Sequence, residues 1–174
     1  MSADELAGAV GAEAAHEMGN ALERIRHCLG QLTDEQIWWR NSSEQNSIGN
    51  LILHLCGNVR QWIVAGLGGT ADVRNRPAEF SERGPIPKND LLQRLEATVR
   101  QACLVLNHQQ AYDLLRTRRI QGQDLTGLKA IFDSVPHFRG HTQEIIYMTR
   151  VMCGSAYKFA WKPPDEGGRM RDEG

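Results

Sequence analysis

His137 and His141 are four residues apart in one apolar stretch, and His54 lies in another about eighty residues earlier. On an α-helix, residues four apart project from the same face, one turn above the other. Two imidazoles so placed can reach one ion at the ~2.0–2.1 Å nitrogen distance that zinc prefers. A third imidazole from a facing helix would complete a three-histidine site with a position open for water or substrate. Open three-ligand sites are the catalytic kind, whereas structural zinc sites are closed.

The pair alone is a weak signal. It lacks the intervening glutamate of the HExxH metalloprotease pattern, and six histidines in 174 residues produce chance pairs. His16, His27 and His108 are expected to be ordinary surface or partly buried side chains. The competing reading of His54, His137 and His141 is a set of satisfied core histidines in a helical interaction module. The setting of His54 favours the metal. Asn50, His54, Gly57 and Gln61 form a polar stripe along the edge of an apolar helical face, as a helix lining an internal pocket would show.

The elements that would carry these residues follow from periodicity and caps. A first long helix is expected from Asp4 to Gln31. Thr33 and Gln36 resemble a capping box for a short turn, and Ser47 is a good N-cap for the second long helix. A long polar connection, 66–87, precedes a third helix from Asn89 or Asp90 to His108. Connections of that length inside a compact domain are often functional. Residues 112–124 read as a linker with an extended segment near Arg118–Ile120. The fourth helix begins at Thr126, with Leu128, Ile131, Phe132, Val135, Phe138, Ile145, Met148 and Met152 as its expected buried positions. Pro136 inside it implies a kink, or else two helices meeting near residue 135. Gly154 would end it, and Tyr157, Phe159 and Trp161 would pack back on the bundle. Four long helices imply an all-α four-helix bundle, with the second connection long enough for a crossover.

Composition bounds the function. The chain has 41% hydrophobic and 24% charged residues, ordinary for a soluble domain. One domain is expected over 1–162, with 163–174 as a disordered tail. A net charge of −1 leaves no footprint for nucleic acid. No stretch is apolar enough for a membrane, and the start lacks a secretory signal, so a cytoplasmic setting is expected. Cys28, Cys56, Cys103 and Cys153 show no CxxC spacing and read as reduced structural thiols. Cys56 would point roughly 160° away from His54 on a helix. Apolar bundle faces and the Trp38-Trp39 pair would allow a homodimer, though these tryptophans fit a core equally well.

The run from Asn46 to Ile63 resembles the second helix of the DinB-like, YfiT-like metalloenzyme superfamily, and His137 to Tyr147 resembles its last bundle helix. A narrower similarity is to an uncharacterised bacterial branch. Its GlyGly-x-Asp-x-Arg-x-Arg-x-x-Glu-Phe pattern falls at Gly68–Phe80 with one extra residue before Asp72. Its Arg-Arg-Ile-Gln-Gly segment falls at Arg118–Gly122. The resemblance covers roughly residues 5–155. It implies a four-helix bundle with a divalent metal, usually nickel or zinc, on His54, His137 and His141. It also implies small-molecule chemistry, since the superfamily includes S-transferases that use low-molecular-weight thiols; DNA binding is not implied. The sequence departs from the branch at Pro136, where glutamate is expected, and at Gln143-Glu144, where Gly-Gln is usual. The first departure would remove a carboxylate that orients a ligating histidine.

The expected function is therefore a metal-dependent transferase or hydrolase acting on a small molecule, with a thiol S-transferase as the specific form. Asn50, Asn58 and Gln61 would line the pocket or hold the ligands. Arg74, Arg76, Arg118 and Arg119 would meet substrate carboxylates, which guanidinium forks bind at two points. The alternative is a non-catalytic metal- or ligand-binding bundle in stress response.

Overall fold

The computed structural model describes residues 1–160. Helix α1 spans Ala3–Leu29 and α2 spans Asp34–Trp38. Helix α3, Ile48–Val59, runs on into a π-helical turn at Arg60–Ala65. Next come α4 (Arg76–Ser81), α5 (Lys88–Asn107) and α6 (Ala111–Leu115). A hairpin of β1 (Thr117–Ile120) and β2 (Gln123–Thr126) leads into α7, Gly127–Cys153.

Local chemistry starts these helices. Ser2 with Glu5, Thr33 with Gln36 and Ser47 with Asn50 each form a reciprocal capping box. Thr126 caps α7 through the Lys129 amide. Each such cap satisfies N–H groups that the first helical turn leaves orphaned.

Helices α1, α3, α5 and α7 make the bundle. Both α1 and α3 pack on α5 and α7. Consecutive long helices thus sit on diagonals at α1–α3 and at α5–α7. The crossings are made by the α2 segment and the hairpin segment. The long 66–87 connection instead joins neighbours, α3 and α5, and is free to fold back over α3 as a strap. The core is apolar and continuous, with Met18, Ile25, Leu51, Leu55, Leu95 and Phe138 among its fully buried side chains. Gly11 lets α1 approach α5 closely, because a Cβ there would lie 2.0 Å from the Leu106 carbonyl oxygen.

The fold resolves or corrects several expectations. Of the two alternatives at Pro136, the single helix is the one formed. Pro136 and Phe132 both lie on its exposed side, where the carbonyl that a proline releases can bond to water. For the same reason Phe132 is not a core residue: it is 64% exposed, and Leu128 is 36% exposed. The 112–124 linker holds a short helix and two paired strands rather than one extended segment. Trp38 belongs to the interior packing. Its indole donates to the Ile86 carbonyl at 2.9 Å and lies against Gly49, while Trp39 is 47% exposed. Tyr157 is half-buried, and the Lys158 carbonyl lies 2.6 Å from His27 Nε2. Trp161 and the expected tail lie outside the described residues. Among the described residues, no helix is long and apolar enough to cross a membrane.

Candidate metal centre

The polar stripe of α3 is the docking strip for the strap. Asn50 is fully buried, and its amide donates to the carbonyls of Glu79 and Glu82 at 2.9 Å each. Gly57 carries no side chain where the Glu79 carboxylate passes. A Cβ there would lie 1.8 Å from Glu79 Oε1. Gln61 accepts from Arg74 Nη1 at 2.9 Å and donates to Asp72 at 2.7 Å. Between them, His54 Nδ1 lies 2.9 Å from Glu79 Oε2.

Arg74 clamps that carboxylate through both oxygens, Nε to Oε1 at 2.7 Å and Nη2 to Oε2 at 2.9 Å. The two side chains are only 4% and 8% exposed. Arg74 Nη2 also stands 3.1 Å from His54 Nδ1. Guanidinium has no acceptor, so the two contacts to Nδ1 demand opposite tautomers. The carboxylate, already charged and adjacent, assigns the Nδ1 proton, which donates to Glu79. His54 Nε2 then keeps its lone pair. Burial raises the Glu79 carboxyl, but the hydrogen bonds from Arg74 and His54 outweigh it and hold the carboxyl below its usual range.

From the facing helix α7, His137 Nε2 lies 2.9 Å from His54 Nε2. His141 turns Nδ1 to Glu144 Oε2 at 2.8 Å. The three rings stand nearly perpendicular to one another, with centroids 4.5–5.1 Å apart. One nitrogen from each lies within 4.8 Å of the others. Burial pushes His137 down to about 4, with the neighbouring His141 and His54 adding to the effect. It is therefore neutral at pH 7, the form that ligates metal.

The donor set fits a divalent ion. Three imidazole nitrogens converge, and two of the rings hold a carboxylate on the opposite nitrogen, which fixes the tautomer and raises ligand basicity. His54 is 6% exposed, whereas His137 and His141 are half-buried, so the cluster is open on one side. A cavity of about 270 Å³ adjoins His54 and His137. Asn58, Trp62, Arg74 and Arg76 line it from one side, and Gln121, Gln123 and Asp133 from the other. Trp62 Nε1 donates to Gln121 Oε1 at 3.1 Å, pinning the hairpin tip over the cavity.

The expected site residues divide. His54, His137 and His141 come together, with Asn58, Arg74 and Arg76 beside them. Asn50 and Gln61 hold the strap rather than line the cavity. Arg118 and Arg119 do not reach it. Arg118 is used internally, on the Leu67 carbonyl and on Asp113, and Arg119 pairs with Asp124 in solvent. Glu79 and Glu144 supply carboxylates to His54 and His141, while His137, beside Pro136, has none among the described residues. Cys56 is not among the clustered donors, and burial pushes its thiol up to about 12. Sequence reasoning missed Glu79, Glu144, Trp62, Gln121, Gln123 and Asp133. Glu79 and Gln121 were within reach, since both fall in the motifs quoted for the strap and the hairpin.

The bundle has a DinB-like fold. A DinB-like protein from Bacillus cereus ATCC 10987 superposes with a TM-score of 0.58 at 15% identity, covering 76% of this chain and 85% of that one. A conserved protein from Enterococcus faecalis superposes with a TM-score of 0.70 at 17% identity, covering 83% and 98%. The chain itself belongs to the family described as "Protein of unknown function (DUF1572)", which matches residues 12–165. Comparison with curated proteins finds no match.

The site also sets a pH dependence. In the folded protein His137 titrates at about 4, below the ordinary value of 6.5, so the unfolded chain binds the extra proton first. Glu79 is likewise held below its unfolded value. Both groups add stability at higher pH and lose it on acidification. In chelator-treated protein, the urea midpoint is expected to be flat above about pH 7 and to fall from about pH 6.5 towards pH 4. A midpoint that rises over that interval would contradict the assignment.

Proposed function

We propose that this protein is a metal-dependent enzyme acting on a small molecule, with a nickel or zinc ion held by His54, His137 and His141. The observation that carries the reading is the convergence of three imidazole nitrogens within 4.8 Å, open on one side to a polar cavity. A bound ion would supply Lewis acidity and lower the pKa of a thiol or water beside it. The chain's own residues do the rest. Glu79 and Glu144 keep His54 and His141 aimed inward. Arg74 holds Glu79 and is not available to substrate. Arg76, exposed and stacked over Phe80 at 4.9 Å, offers its guanidinium to a substrate carboxylate. The Gln121 and Gln123 side chains at the hairpin supply amide contacts. A carboxylate-bearing low-molecular-weight thiol in the cytoplasm suits this lining, and S-transfer is the reaction we propose.

The test is metal content by elemental mass spectrometry, with a His54→Ala/His141→Ala variant checked for folding by circular dichroism. Near-stoichiometric nickel or zinc is expected in the native protein and none in the still-folded variant. Absence of metal from both after reconstitution would overturn the reading. Metal without turnover in a screen of bacterial thiols against electrophilic acceptors would favour the second reading, a non-catalytic metal-binding bundle.

A further inference from the structure

A second cavity, about 330 Å³, lies on the far side of the strap from the histidine cavity. Its volume falls in the range of small-molecule sites, ~300–1,000 Å³. Leu53 and Val64 from the α3 side and Ile86 from the strap's end give it an apolar body, and Thr70–Asn75 form one wall. Arg60 and Arg94 reach it from α3's π turn and from α5. Both guanidinium charges act on the Cys56 thiol, so they stand over the same part of the α3 surface.

Three carboxylates and three guanidinium groups line this cavity, and the carboxylates are all engaged. Asp72 is taken up by Gln61 and the Arg74 amide, Glu79 by Arg74 and His54, and Glu82 by the amides of Arg83 and Gly84. Arg60 and Arg94 have no carboxylate partner among the described residues. A cavity with an apolar floor, engaged carboxylates and two guanidinium groups without a carboxylate partner is suited to an anion, since such groups bind a carboxylate or phosphate through paired N–H donors. We infer that this cavity is a second binding site, for a small organic anion with a short apolar body. It is separate from the histidine cavity. The two share only the Arg74 wall, so an occupant would touch the strap that holds His54.

The probe is sodium benzoate, titrated calorimetrically into the full-length protein, with neutral benzamide as its uncharged counterpart. Measurable benzoate binding is expected, with none by benzamide. Arg60→Ala/Arg94→Ala and Arg60→Gln/Arg94→Gln should each weaken it at least tenfold. Both arginines are exposed, so circular dichroism should stay unchanged. Binding should survive in His54→Ala/His141→Ala, which separates it from carboxylate ligation at a histidine-bound metal. The site is refuted by no benzoate binding up to about 10 mM, or by affinity indifferent to both arginine variants. It is equally refuted by affinity lost in Arg76→Ala alone, which would put benzoate in the histidine cavity.

Discussion

Glu79→Ala is expected to cost about 3–5 kcal/mol of folding stability and to weaken metal binding about 10–100-fold. The stability loss comes from Arg74, whose side chain is 4% exposed and whose fork is spent on this carboxylate. Removing the partner strands a buried charge, which costs more than the pair itself contributes. The metal loss comes from His54, which would lose the acceptor for its Nδ1 proton. Glu79→Gln separates the two effects. Its amide oxygen can still accept from Arg74, so more stability survives. Its NH₂ would face a donor nitrogen, and His54 relieves that clash by moving its proton to Nε2, where the lone pair is needed. Urea unfolding and a metal-competition titration on both variants read the two quantities. Unaltered metal affinity in Glu79→Gln would show that the tautomer is not held by this carboxylate.

Gly57→Ala should produce the second largest effect without removing any charge. The new methyl would meet Glu79 Oε1 at 1.8 Å and Arg74 Nε at 3.0 Å. A free glutamate would swing aside. This one is held at both oxygens by Arg74 and at one by His54, so the strap itself must shift. A loss of about 1–3 kcal/mol is expected, the usual cost of overpacking, together with weaker metal binding. Gly140→Ala is the internal control. Gly140 sits between His137 and His141 on α7 with nothing within 4 Å of its Cβ position, and there alanine is expected to stabilise by roughly 0.5–1 kcal/mol. Equal destabilisation by both substitutions would refute the close-approach argument.

How much of this was legible depended on the range of the interaction. Helix α3 could be read from Ser47 through its apolar period because a cap and a 3.6-residue repeat are local properties. Hairpin strand β2 could not, since Gln123–Thr126 has one buried position and no alternation to reveal it. Phe132 was misplaced for a related reason. Apolar character marks a residue that can be buried, and only the packed neighbours decide whether it is.

By itself the sequence determined the all-α class, the starts of the long helices, and the pairing of His137 with His141 on one helical face. It also put His54 on a polar stripe that needed a partner. The tertiary structure alone decided what that partner was. Glu79 reaches His54 from a strap with no periodic pattern, 25 residues on along the chain. It also sent Arg74 inward to hold Glu79, Arg118 to backbone carbonyls and Arg119 to solvent. Spacing along a helix fixes direction within about a turn, whereas a long side chain on a loop takes its direction from whatever charge and space the folded neighbours leave it.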